Sequence, residues 1–377
     1  MDARHRLHCV NFIRKFTSNS IFFLIPLHFL QIGLPGWQIG LIMAFYASAP
    51  LLFSFPAGWI NDRFSIKKLI QAGLVTMSLT LFLIGRAKHF LPMLFLFLML
   101  GIANNALDVS INNFFYKDGR DANQNKKYGL LAFWLALGVA AGTFFGGFLT
   151  TYARFEVLLN VYAFLMLAPF FLVFPIGEGK KAMVSLQAYR LGILNRKTLA
   201  FSVMILVLTL HWGAEGTVYS PFLKEHFGLS HLQLSLYISI PLFLMALSAF
   251  LFSFLKYDLR KNNRLFLLAM FLSGLGLIMM VNNNLVVSFA FRILHEIGDG
   301  FIGAALALTI SRLFSKDSIG GSSGILLMIM TSGHMIGSLV FSSLGFGAGL
   351  HWPFIVAGGL LILNAFYGRY VFKWERY

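Results

Sequence analysis

The chain has one cysteine, Cys9, so no intramolecular disulfide can form and stability has to come from packing. With a single thiol, neither a zinc-cysteine site nor a dithiol redox pair is available. Charge is scarce as well: Asp, Glu, Lys and Arg make up 12% of the 377 residues, against roughly 25% in an ordinary soluble domain. Also missing are a phosphate-cradling P-loop, a G-x-S-x-G elbow, a zinc-protease helix motif and any polar stretch large enough to hydrolyse ATP. These absences argue against an enzyme and against an ATP-driven pump, and they imply no cofactor. The first thirty residues lack a short apolar region followed by a small-residue cleavage site. Arg14 and Lys15 interrupt the first apolar run, which reads as an uncleaved first span.

What the chain does have is apolar surface. Hydrophobic residues reach 58% and mean hydropathy is +0.76, more than a water-soluble core can absorb. Windows of about 20 apolar residues predict twelve spans, near 10–32, 38–59, 67–86, 91–115, 128–151, 155–176, 199–223, 232–255, 264–282, 285–313, 322–348 and 353–372. Backbone groups in hydrocarbon must be satisfied within each span, and the runs are too long and continuous for a barrel, so the predicted fold class is an all-α integral membrane protein. One long polar break, Gly177 to Thr198, divides the chain. The predicted organisation is a six-helix bundle over 1–176, a cytoplasmic linker over 177–198 and a second six-helix bundle over 199–377.

Cation placement orients the spans. With both termini in the cytoplasm, the outer loops hold only Arg86, Lys88, Arg154 and Lys224, and Arg292 lies within a span. All other Lys and Arg, among them Arg120, Lys180, Lys181 and Arg376, fall on the inner side. The net charge of +16 is therefore mostly topological. Basic residues spread over many short loops do not form the single patch with interleaved aromatics that a nucleic acid needs. The expected setting is the plasma (inner) membrane, as a multi-pass monomer whose partners are the lipid bilayer, protons and a small-molecule substrate.

An internal repeat supports two halves of like topology. Pro26, Gly33, Leu34, Gln38 and Leu41 recur as Pro221, Gly228, Leu229, Gln233 and Leu236, all at an offset of 195, and Asp258 echoes Asp62 one residue late. The second half keeps Asp258, Arg260 and Arg264, but Phe254 stands where a glycine is expected.

The segment Gly58 to Lys68, GWINDRFSIKK, lies between the second and third predicted spans. Its Gly58, Asp62, Arg63, Lys67 and Lys68 fill every slot of a pattern of Gly, three residues, Asp-Arg, three residues and two basic residues. The segment resembles the signature loop of the major facilitator superfamily. The resemblance implies twelve helices in two parallel six-helix halves around a midplane cavity. It also implies that the glycine lets two helices approach, while the aspartate and the basic residues form a charge network that holds the outward-open state. Gly138, Gly142, Gly146 and Gly147 in the fifth span resemble that superfamily's antiporter motif, except that Thr143 replaces its proline. Tight packing through small residues on one face is the preferred reading of those glycines.

Ionisable residues inside spans are costly and mark function. His211 and Glu215 lie four apart in the seventh span, and the tenth span carries Arg292, His295, Glu296 and Asp299. His334 lies in the eleventh. Arg292 with Glu296, and His295 with Asp299, have the i, i+4 spacing of intrahelical pairs. In the first half, Asn104, Asp108 and Asn112 form one stripe, and Arg14 is within reach of Asp108; Lys15 is expected to snorkel to the headgroups. The family resemblance places the seventh and tenth helices on the cavity.

The reading is a secondary transporter, symporter or antiporter, coupled to protons through Glu215, Asp299 and Asp108. The residues His211, His295 and His334 tune those carboxylates or contact substrate, and Arg292 anchors an anion or pairs with Glu296. A divalent-metal transporter using His211, Glu215, His295, Asp299 and His334 is the alternative; a lipid flippase of the same fold is another.

Overall fold

A computed structural model of the chain describes residues 2–22, 25, 28–29, 32–119, 123–149, 152–177 and 183–375. Pro26 of the repeat, and Arg120, Lys180, Lys181 and Arg376 of the inner charges, lie outside the described residues. The described elements are helices throughout: α1 Ala3–Phe22, α2 Gly36–Arg63, α3 Ile66–Ile84, α4 Phe90–Lys117, α5 Gln124–Leu149, α6 Phe155–Leu165, α7 Ala168–Val173, α8 Leu186–Leu194, α9 Arg196–Thr217, α10 Tyr219–Phe227, α11 His231–Phe252, α12 Leu259–Met279, α13 Leu285–Leu313, α14 Ile319–Ala348 and α15 Trp352–Val371. Among the described residues eleven spans are long and apolar enough to cross a membrane, with α6 and α7 forming one of them. The remaining expected span falls on α1, which begins seven residues earlier than its apolar run and, as expected, contains Arg14 and Lys15.

Local chemistry starts and stops these helices where the repeat says it should. The starts of α2 and α11 (Gly36, His231), of α4 and α13 (Phe90, Leu285) and of α5 and α14 (Gln124, Ile319) all differ by 195 residues. Gly33 and Gly228 sit in the two equivalent turns with φ of 84° and 63°, a left-handed backbone that a side chain disfavours. Gln233 closes a capping box with Ser230, which accounts for one of the repeated glutamines. Ser65, Asn195 and Asp258 cap α3, α9 and α12 by accepting the N–H groups of Lys68, Thr198 and Lys261. The Lys261 amide holds the exposed Asp258 carboxyl below the usual carboxylate range.

Three boundaries differ from the sequence reading. Helix α2 continues through Arg63, so Gly58, Asp62 and Arg63 are helical and only Phe64 and Ser65 make the turn. The sixth span is interrupted at Met166 and Leu167, and the seventh at Val218, three residues after Glu215. The polar break contains a further helix, α8.

The chain forms two compact units. One comprises Met1–Gly119, Leu137–Tyr189 and Phe314–Met328, the other Arg120–Ala136, Arg190–Leu313 and Ile329–Tyr377. Within the first unit, a Cβ on Gly138, Gly142 or Gly146 would run into the backbone of Phe12, Phe16 or Ser20, one turn of α5 against one turn of α1 at each step. Ser20 adds a 3.0 Å hydrogen bond to the Gly142 carbonyl. These glycines therefore set a backbone-to-backbone contact. Gly142→Leu is expected to cost about 1–3 kcal/mol by overpacking. Gly40→Leu, where nothing lies within 4 Å, is the comparison. Thermal unfolding of the two variants in detergent checks this, and equal melting would count against the contact.

Candidate functional site

Polar chemistry concentrates at three places, two in the first unit and one in the second. The first surrounds Arg14, whose side chain is fully buried. Its Nη2 donates to Asn11 Oδ1 at 2.8 Å and to Asp108 Oδ1 at 2.7 Å, and its Nη1 donates to Asn104 Oδ1 at 2.8 Å. Lys15 Nζ lies 3.2 Å from Asp108 Oδ2, so it joins the cluster instead of snorkelling. Asn104 donates in turn to the Tyr46 hydroxyl at 3.2 Å. Asn112 makes no such bond among the described residues. Two cations and one carboxylate leave this cluster positive.

The second place is the end of α2. Asp62 is fully buried and accepts from Gly320 N at 3.0 Å, Gly321 N at 2.8 Å and the Tyr189 hydroxyl at 2.8 Å. Lys117 Nζ is 2.8 Å away. The two amides are the second and third of α14, so the carboxylate satisfies orphan donors and sits at the positive end of that helix. Gly58 and Gly320 touch backbone to backbone, and a Cβ on Gly321 would strike the Tyr189 ring at 2.6 Å. Burial, and then the adjacent carboxylate, push the Tyr189 hydroxyl well up, keeping it a donor. The expected charge network is corrected in one respect. Arg63 stacks on Trp59 and donates to the Val184 carbonyl at 2.9 Å, and Lys67 donates to the Phe174 carbonyl, so neither pairs with Asp62. Lys68 contributes its amide to the Ser65 cap at 3.4 Å. Sequence reading missed Lys117, Tyr189, Gly320 and Gly321. The Gly-Gly pair at the start of the eleventh span was the available signal.

The third place is in the second unit, where α9, α12 and α13 meet. Arg292 donates to Glu215 and to Glu296 and lies over the Tyr219 ring, 4.4 Å from its centroid. His211 Nε2 is 3.2 Å from Asp299 Oδ2. His295 Nε2 is 2.9 Å from Glu215 Oε1 and 3.9 Å from Asp299 Oδ2. The pairing expected along α13 is realised, with Arg292–Glu296 and the 3.9 Å approach of His295 to Asp299 both intrahelical, whereas His211 and Glu215 turn from each other to partners on α13. Ser273 on α12, unmarked in the sequence, donates to Asp299 Oδ1 at 2.7 Å. It can reach because Gly298 brings α13 against it, a Cβ there coming within 2.9 Å of Ser273 Cβ. His334 makes no bond within the cluster among the described residues, but it borders it: its side chain is exposed, and its Nε2 lies beside Gly216, the residue after Glu215. Three carboxylates face one arginine in this cluster.

The family model described as Major Facilitator Superfamily matches residues 7–185 and 199–376. The chain belongs to that superfamily. Quinolone resistance protein NorA of Staphylococcus aureus (strain MSSA476) is 23% identical over 226 residues, covering 57% of each chain. The chain therefore aligns with little more than half of that relative's length. Among solved structures, the human organic anion transporter MFSD10 (TETRAN) superposes with a TM-score of 0.81 at 14% identity, over 98% of this chain and 100% of that one. The proton:xylose symporter XylE, bound to 6-bromo-6-deoxy-D-glucose, gives 0.79 at 12% identity over 99% and 95%. At those identities the likeness is one of fold. As a superfamily member the chain is a multi-pass integral membrane protein of a transporter family.

In this superfamily member Arg14 is sealed and Asp108 is its only anionic partner among the described bonds. Asp108→Asn leaves a buried guanidinium uncompensated, expected to cost roughly 3–5 kcal/mol. The double variant Asp108→Asn/Arg14→Gln is expected to recover most of that loss. Thermal unfolding of the single and double variants measures both.

Proposed function

We propose that the chain is a secondary active transporter that moves a small molecule by alternating access and couples the movement to protons. Residues 1–176 and 199–377 act as the two six-helix halves, joined by a cytoplasmic linker over 177–198. The observation that carries the reading is the charge balance of the second-unit cluster, where Glu215 and Glu296 pair with Arg292 while Asp299 lies beside His211 and His295. Three carboxylates against one arginine need two more positive charges to be neutral, and protons held on the histidines or the carboxylates supply them reversibly. The name of NorA supports a drug-type substrate. The inner-side excess of Lys and Arg supports both termini in the cytoplasm of a plasma-membrane protein. The protein acts as a monomer and carries out no catalysis.

Gating falls to Asp62, which binds the start of α14 through two amides that it can hold only while they are adjacent. A contact made in one conformer and not the other sets their balance. Asp62→Asn is expected to lower transport while the protein still folds, and to shift the ratio of inward to outward conformers. Double electron–electron resonance between spin labels on the two halves reads that ratio; an unchanged ratio with unchanged transport would sink the gating role.

Coupling is tested in proteoliposomes with a fluorescent quinolone as probe. Glu215→Gln or Asp299→Asn is expected to lose transport driven by a pH gradient and to keep counterflow exchange, which needs no net proton movement. If both variants retain wild-type gradient-driven transport, the coupling assignment fails.

A further inference from the structure

The two buried histidines of the second unit have their ring orientations fixed by groups that can only accept. His211 Nδ1 donates to the Leu208 carbonyl. His295 Nδ1 lies 3.0 Å from the Ser273 carbonyl and 2.8 Å from Ser273 Oγ. That hydroxyl has one proton and gives it to Asp299 Oδ1, so toward His295 it must accept. Both rings therefore carry a proton on Nδ1, and both turn Nε2 inward, toward the Asp299 and Glu215 carboxylates. A backbone or hydroxyl acceptor that holds one ring nitrogen so that the other presents its lone pair is the arrangement found behind metal-ligating histidines.

Lone pairs facing carboxylates repel, and something positive has to lie among them. A shared proton serves His211, whose Nε2 is hydrogen-bonded to Asp299 at 3.2 Å. It serves His295 poorly. The side chain of His295 is fully buried, and its Nε2, 2.9 Å from Glu215 Oε1, is left without a well-aligned hydrogen bond.

The donor spacing comes near to what a metal needs. Ligand bonds of about 2.0–2.2 Å arranged between right angles and tetrahedral angles put donor atoms roughly 2.8–3.6 Å apart. From Asp299 Oδ2 the His211 Nε2 lies at 3.2 Å, inside that range, and the His295 Nε2 at 3.9 Å, just outside it; all three donors lie within 4.8 Å of one another, so binding would draw the His295 ring inward.

We propose that His211, His295 and Asp299 bind a divalent first-row transition metal ion, from manganese to zinc, and that this ion is a transported substrate. The proposal rests on the transport reading above and names a substrate class for the same cluster. Two imidazoles and one carboxylate select that class over magnesium and calcium, which take oxygen ligands. Arg292 does not cancel the site, since its charge is taken up by Glu215 and Glu296. Three protein ligands leave a coordination position open, as an exchangeable ion requires and a closed structural site does not. The carboxylates keep 11% and 19% exposure at Asp299 and Glu215, while the imidazoles behind them are sealed.

The test uses the full chain, purified in detergent, titrated with Mn²⁺, Zn²⁺ and Mg²⁺ by isothermal calorimetry. One transition metal ion per chain is expected, with no Mg²⁺ competition. Affinity should fall at least tenfold in His295→Gln and Asp299→Asn and should hold in the surface variant His89→Gln. Ser273→Ala should weaken binding roughly 10–100-fold, the usual loss when a group behind a ligand is removed. Pulsed electron paramagnetic resonance of the Mn²⁺-loaded wild type needs no variant, and it should show coupling to imidazole nitrogens. No stoichiometric binding, or bound Mn²⁺ without nitrogen coupling, overturns the site. Binding without metal entry into proteoliposomes carrying an internal metal-sensitive dye overturns the cargo assignment. Either result can coexist with pH-driven quinolone transport in the same vesicles, so failure of the metal proposal is told apart from failure of proton coupling.

Discussion

A guanidinium inside a membrane-spanning helix is tolerable only when its anionic partner is buried with it, and Arg14 and Arg292 fix the rest of each unit by that requirement. Arg14 draws α1 and α4 together through Asn11, Asn104 and Asp108. Arg292 does the same for α9 and α13 through Glu215 and Glu296. The surrounding glycines follow from these demands. Side chains as short as Asp and Asn reach across only if the helices are close, and positions such as Gly138, Gly276 and Gly298 place backbone against backbone nearby.

Much of this was legible in the sequence, for identifiable reasons. Helix positions were readable because hydrocarbon demands long apolar runs, and the 195-residue repeat was readable because it marks turns that need Gly33 and Gly228 at positive φ. Arg14 with Asp108 could be inferred from helical rise alone. Pairings among several ionisable groups could not. Spacing along one helix suggested His211 with Glu215 and His295 with Asp299; the second approach is kept at 3.9 Å, but His211 and Glu215 each find partners on α13, and a sequence does not record how two helices face each other. Lys15 illustrates the same limit, since a lysine near a span end has two solutions, the headgroups or an internal carboxylate, and only the position of Asp108 chooses. Ser273 carried no signal, because a lone serine in an apolar helix is ordinary.

The repeat also exposes an asymmetry. Asp62 leaves its own helix to bind the start of α14, whereas Asp258, its echo, caps α12 on which it stands. The start of α5, equivalent to the start of α14, is served instead by the Asn123 side chain, which accepts the Lys126 amide. Asn125, the second residue of α5, exchanges two hydrogen bonds with Asn262, at 3.0 and 2.7 Å, both residues being buried. Close approach is kept next to the position where Phe254 replaces the expected glycine: a Cβ on Gly129 would lie 2.7 Å from the backbone N of Ser253, the residue before Phe254.

One latch is therefore charged and the other neutral. A carboxylate at a helix N-terminus, with Lys117 beside it, is an interaction of ions and dipoles whose strength depends on exclusion of water. An amide pair has no net charge and is nearly indifferent to a nearby field. The two equivalent helix starts are therefore held by different physics, a buried carboxylate beside a lysine at one and a neutral amide pair at the other.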